Sequence, residues 1–378
     1  MKANLLYFVF VLATLLAPGH FVGQQHGRLA GNEAKPLPQP QAQSAEIIPS
    51  IDLQFKSGDP IPGLTASPAI AMPVQCASDG SAVIQMLIPP DFQQTAFYRF
   101  DSSKSTPIVL SGIPKISRTV PIDIFASTSL VGVLLYAQES ASDIYSPLTP
   151  GSSFVALFEP SGAFKKLIKL PSQVSFLRFA LLPSGDLVTL EFNPPTAVAR
   201  LTLRDSSGEE ERTLQIPHGL ENVASPSAAA PVYSRSDNEK ISGEHAVDRA
   251  RFTAYGEKVL LWIPGNATVT EIGEGGSIRP VEVELPKGYA LDGMIPSTNR
   301  WIVRFQRIGI SDAGPADMRP EAQNFVLYEV HPGDGSLRRK LNLGRDGGWI
   351  ACEKDGILTV FRTDEKQHLI PLTADLGR

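Results

Sequence analysis

The chain has 378 residues, among them 31 glycines and 32 prolines, and a formal net charge of −5. No basic cluster interrupts that mild acidity, so nucleic acid and anionic membrane are poor partners for it. With only Cys76 and Cys352 as cysteines and no CxxC, a cysteine-built zinc ribbon, a CxxCH haem site and a disulfide-dense scaffold are excluded.

Lys2 opens the chain with a positive charge, and residues 5–17 (LLYFVFVLATLLA) form an uncharged apolar run ended by Pro18 and Gly19. That run is short for a bilayer span and small residues follow it, so residues 1–19 are expected to be a secretory signal peptide. An uncleaved anchor is the alternative reading. No later run reaches the length of a transmembrane helix, so the mature protein is expected in the periplasm or the medium, with no membrane span. Residues 20–45 are polar and rich in Pro and Gln (KPLPQPQAQ at 35–43). Such a segment has too little apolar surface to offset its ordering entropy and is expected to be a disordered leader.

The remaining domain, residues 46–378, carries almost no helical periodicity. Short β-rich runs end instead at turn residues, which predicts an all-β fold. One pattern recurs six times: an apolar strand, a tight polar turn, then a more apolar strand. Its copies lie at 76–88 (CASDGSAVIQMLI), 125–136 (FASTSLVGVLLY), 182–192 (LPSGDLVTLEF), 252–264 (FTAYGEKVLLWIP), 294–305 (MIPSTNRWIVRF) and 352–361 (CEKDGILTVF). Aligning Gly80, Ser129, Gly185, Gly256, Asn299 and Gly356 gives a loose period of about 50 residues, as in repeat architectures. Gly and Asn suit these places because hairpin turns often need positive φ. Between the apolar hairpins lie more polar ones, at 96–110, 154–171, 199–217, 268–285 and 325–343, where apolar and polar residues alternate. Four strands per unit, the first pair drier than the second, describe a propeller blade. The sixth unit lacks one strand. Ile51, Leu53 and Phe55 alternate with polar neighbours and are expected to supply it, closing the last blade and hiding two sheet edges. The fold class is thus an all-β, six-bladed β-propeller with its last blade closed by an N-terminal strand.

On these hairpins, above all LPSGDLVTLEF followed by VARLTL (198–203), the chain resembles the six-bladed propeller superfamily of NHL-repeat, TolB-like and gluconolactonase-like proteins. The resemblance spans residues 47–374 and is one of architecture; no motif carries functional residues across with it. The Trp-Asp dipeptide of WD repeats is absent.

With strands A to D in each blade, the A–B and C–D turns lie on one face and the B–C and D–A connections on the other. The longest connections, residues 140–153, 218–247 and 309–323, all fall on the second face, where repeat folds commonly bind partners. Asp143, Tyr145, Arg118, His245, Asp248, Asp312, Asp317, Arg319, Asp346 and Trp349 are expected there and form the candidate ligand-binding set. Protein, peptide or glycan is the expected ligand. The carboxylates could instead hold Ca²⁺, or divide acid and base roles in a metal-dependent hydrolase or lyase of a lactone or glycan; solvated loop charge is the simplest account of them. No cofactor is expected otherwise. GxSxG, HExxH and GxxxxGK[ST] motifs are absent, and His218, His245, His331 and His368 are too dispersed to make a ligand set. Trp262 and Trp301 fall on strands and are expected in the core. Cys76 and Cys352 each stand four residues before an aligned turn Gly, on the first and sixth units. They either form a disulfide across the ring closure or are two buried free thiols.

Overall fold

The computed structural model describes residues 48–61, 75–88, 94–101, 104–139, 152–172, 174–193, 198–215, 249–308, 325–344, 349–366 and 368–377. The signal peptide and leader expected for residues 1–45 lie outside them. All described residues fall within one compact unit, Ile47–Arg378.

Two short N-terminal strands, β1 (Ser50–Asp52) and β2 (Phe55–Ser57), precede the first blade. Blade one consists of β3 (Gln75–Cys76), β4 (Ala82–Ile88), β5 (Gln94–Asp101) and β6 (Lys104–Ile108). Blade two follows with β7 (Ile116–Ala126), β8 (Val131–Glu139), β9 (Ser152–Phe158) and β10 (Phe164–Lys169). Blade three has β11 (Ser175–Leu181), β12 (Leu187–Asn193), β13 (Val198–Arg204) and β14 (Glu210–Leu214). Blade four has β15 (Arg251–Tyr255), β16 (Lys258–Trp262), β17 (Thr268–Ile272) and β18 (Ile278–Glu282). Blade five has β19 (Tyr289–Ser297), β20 (Arg300–Arg307), β21 (Phe325–Val330) and β22 (Leu337–Asn342). Blade six has β23 (Trp349–Lys354), β24 (Ile357–Thr363) and β25 (Leu369–Asp375), completed by β2. The chain is a six-bladed β-propeller, each blade an antiparallel meander.

Turn chemistry fixes the hairpins. Gly80, Gly185, Gly256 and Gly356 all adopt positive φ at the A–B turns, a conformation that costs glycine nothing. At Asn299 and Ser129 the turns close without it, so there the residue type is a preference and not a requirement.

The N-terminal closure differs in one respect from a single strand over 51–55. β1 runs parallel to β22, pairing Ile51 with Leu341, and so gives blade five a fifth strand. The chain then crosses to blade six, where β2 pairs antiparallel with β25, Phe55 opposite Ala374. Two separate sheets cannot share one straight strand, so the chain leaves one sheet for the other between β1 and β2 while its alternation of burial continues. Leu53 is buried there, and its N–H donates to the Asn342 carbonyl at 2.9 Å.

The core lies between blades. Phe125 of β7 meets Phe179 of β11 edge to face, with centroids 6.2 Å apart and both rings fully buried. Phe179 presses so closely on β8 that a Cβ on Gly132 would stand 2.7 Å from its ring; only glycine fits there. Trp262 and Trp301 are buried, and the Trp262 Nε1 donates to the Thr253 hydroxyl at 3.2 Å.

Candidate ligand-binding channel

β3, β7, β11, β15, β19 and β23 are the first strands of their sheets. They approach one another around the ring, and β15 also approaches β7 and β3. These strands line the axis. Four of them carry a bulge, between Pro121 and Asp123, Phe176 and Arg178, Leu291 and Gly293, and Ile350 and Cys352. A bulge re-aims the side chains beside it and is common next to binding sites.

Asp123 and Arg178 each follow such a bulge immediately. The Asp123 carboxylate accepts a hydrogen bond at 3.2 Å from the Phe179 N–H of the next blade. Arg178 donates from Nε to the Ala250 carbonyl at 2.9 Å, and Arg251 donates from Nη1 to the same oxygen at 2.8 Å. One carbonyl therefore gathers two guanidiniums from adjacent blades. Burial pushes the Asp123 carboxyl up from 3.8 to about 6, against the opposing pull of Arg178, the Phe179 N–H and Arg251. A buried acid that exchanges its proton near neutrality beside two fixed cations is able to bind polar groups or to move a proton. On β19 the equivalent charge is closed off: Asp292 is paired with Arg304 at 2.6 Å.

The ring of strands has two ends. At one, β8 ends and β9 begins on either side of residues 140–151, β14 and β15 flank 216–248, and β20 and β21 flank 309–324. These stretches lie outside the described residues. So do eight members of the expected ligand set: Asp143, Tyr145, His245, Asp248, Asp312, Asp317, Arg319 and Asp346. Arg118 lies in β7, near its start, and Trp349 opens β23, so the backbone places both toward that mouth; their side chains are not among those described. His331 sits in the turn between β21 and β22, bonded through Nδ1 to Asp334 at 3.0 Å, on the other face.

The second mouth opens among the short A–B turns. A cavity of about 820 Å³ is lined there by Ser78 of blade one, Gly256 of blade four, Ser297 to Arg300 of blade five and Glu353 to Gly356 of blade six. Sequence reading assigned no site to this face. A signal was present: Glu353 is a charged residue inside the drier hairpin of residues 352–361.

The structure joins Cys76 to Cys352 by a disulfide, with Cα atoms 5.4 Å apart. It ties the innermost strands of blades one and six just inside the second mouth. Among the described residues, no group of three or more His, Cys, Asp or Glu is placed to hold a metal ion, and no helix is long and apolar enough to cross a membrane.

No protein-family model and no curated protein sequence matches the chain. Solved structures do. The chain is similar to an inferred exported protein of Bacteroides fragilis, at 9% identity and TM-score 0.49, over 86% of this chain and 95% of that one. It is also similar to virginiamycin B lyase from Staphylococcus aureus, at 12% identity and TM-score 0.38, over 85% and 99% of the two chains. A luciferin-regenerating enzyme matches at 10% identity and TM-score 0.39, over 80% and 92%.

Proposed function

We propose that this protein is an exported binding module that holds a protein, peptide or glycan ligand at the loop-bearing mouth of its propeller. The observation that carries this reading is the anchoring of three long connections, between β8 and β9, β14 and β15, and β20 and β21, at the same end of the blades. The short A–B turns at the other end leave no comparable elaboration. Export is supported by the charge-then-apolar pattern of residues 1–19, and a disulfide is at home in an oxidising compartment. The test is binding of the full chain to immobilised glycan and peptide panels. Replacing residues 309–324 by a two-residue Asn-Gly turn should abolish the selected interaction, whereas Thr298→Trp on the opposite face should leave it intact. Retention after the loop replacement overturns the assignment.

A second reading, hydrolysis or elimination of a lactone or glycan at the channel, draws on Asp123 alone, because its carboxyl lies near 6 beside Arg178 and Arg251. It requires turnover of a lactone panel whose kcat/KM follows a group titrating near pH 6 and is lost in Asp123→Asn. If the hydrolysis needs Ca²⁺, EDTA removes both the turnover and part of the thermal stability.

A further inference from the structure

The A–B mouth contains a buried charge for which the protein supplies only half the partners. Glu353 sits near the end of β23 and is 4% exposed. Its Oε1 accepts a hydrogen bond from the Gly356 N–H at 2.7 Å. Its Oε2 is buried and has no hydrogen-bond partner among the described residues. Leaving a carboxylate oxygen buried and unpaired is costly, and such a cost is usually met by a ligand, an ion or water.

The surroundings narrow the choice. Glu353 is in the wall of the 820 Å³ cavity, a volume within the usual range of small-molecule sites. Turns of blades one, four, five and six line it; in a six-membered ring, blades one and four face each other, so the cavity lies on the axis. The neighbouring guanidinium is turned to other tasks. Arg300 donates from Nη1 to Glu329 Oε2 at 3.4 Å and to the Gly377 carbonyl at 3.2 Å. Lys354 is exposed, and its stem lies over Gly80, where an added Cβ would meet the Lys354 Cβ at 2.6 Å. A hard cation such as Ca²⁺ takes six to eight oxygen ligands, and no metal-ligating cluster exists here among the described residues. An anion would be repelled by Glu353. Oε2 is sealed from the cavity in the unliganded protein; once the carboxyl turns toward the cavity, a positively charged N–H donor satisfies it with a charge-assisted hydrogen bond, while Ser297, Thr298 and Asn299 offer hydroxyl and amide partners around it.

We propose that the A–B mouth of the propeller is a binding site for a small organic ammonium, seated on the Glu353 carboxylate. The site lies at the opposite end of the channel from the loop-bearing mouth, so it does not depend on the ligand assigned there.

Calorimetric titration of the full chain with n-butylammonium chloride tests it, with tetramethylammonium chloride and calcium chloride in parallel. Butylammonium should bind saturably, about tenfold more tightly than tetramethylammonium, which has no N–H to donate, and about tenfold more tightly than to Glu353→Gln. Thr298→Trp, on the exposed turn, fills the mouth without altering Glu353 and should also abolish binding. Circular dichroism and melting of both variants establish that they are folded. Absence of saturable butylammonium binding, equal affinity for Glu353→Gln, or equal affinity for tetramethylammonium overturns the proposal; binding of calcium alone replaces it with a metal site. Replacing residues 309–324 should not change butylammonium binding, so the two assignments fail separately.

Discussion

In blade three the Glu191 carboxylate is enclosed by donors. Arg204 on the adjacent strand reaches its Oε1 at 2.8 and 2.6 Å, the Thr189 hydroxyl adds a bond at 2.6 Å, and the pair is 3 and 2% exposed. Phe176 lies 5.3 Å beneath the guanidinium, and Arg204 Nη1 also caps the Gly208 carbonyl at 3.1 Å. Blade six buries a glutamate to the same depth, yet Glu353 has one backbone donor and an oxygen with none. Both residues belong to the inner half of a blade and both interrupt an apolar strand. The difference is that blade three closes its charge within one sheet, and blade six leaves its charge at the rim of a cavity. A saturated ion pair specifies packing; a half-satisfied carboxylate leaves a place for a ligand.

The largest effect should come from opening the closed pair. Arg204→Met leaves Glu191 buried without a counter-charge and should destabilise the protein by about 3–5 kcal/mol in urea or thermal unfolding. The double variant Glu191→Leu/Arg204→Met should recover most of that loss, because the expense is the stranded charge.

Next comes the covalent tie that seats Glu353. Cys352→Ser removes a link between residues 276 apart and should cost about 4 kcal/mol. Dithiothreitol should lower the melting temperature of the wild type toward that of the variant and leave the variant unmoved.

Asp123 is the intermediate case, with two guanidiniums at hand and burial still dominant. Its carboxyl is raised in the folded state, so the folded protein holds this proton more tightly than the unfolded chain. Its contribution to stability is complete below about pH 4 and is lost as pH rises through about 6. Over that window the wild type should lose up to about 3 kcal/mol relative to Asp123→Asn. Parallel pH dependences of the two proteins would show that the carboxyl is not so perturbed.

The smallest effect belongs to the open site. Glu353→Gln keeps an acceptor for the Gly356 N–H and removes a buried charge to which no other described group donates a hydrogen bond. Its stability should therefore stay within about 1 kcal/mol of wild type. A loss as large as that of Arg204→Met would erase the contrast between the two blades.

The hairpins were legible because their determinants are local. A strand pair joined by Asp355-Gly356 or Ser184-Gly185 announces its turn within a few residues, and the positive φ at Gly356 and Gly185 agrees. Counting those turns produced six blades and a missing strand. The split of that strand into β1 and β2 was not legible, since Ile51, Leu53 and Phe55 alternate in the same way whether one sheet or two receive them. Buried charge was harder still. The Glu191–Arg204 pair spans two strands, and Asp123 depends on groups from blades three and four. In sequence each looks like a solvated residue on an alternating strand. The expected ligand set was drawn from the longest connections, where composition says most about exposure and least about position. Arg118 and Trp349 are the two whose strands the structure supplies.

The N-terminal strap has a consequence for the order of events during synthesis. β1 and β2 leave the ribosome before any blade, yet their partners β22 and β25 are among the last strands to emerge. Ile51 must wait, unpaired, until Leu341 follows, the separation at which Asn342 meets Asp52 being 290, and Phe55 waits longer still, until Ala374. Until then blades five and six keep open outer edges, and the nascent ring is at its most exposed to mispairing with other chains. The first strands made act as the latch, and the ring closes only when they meet the last ones.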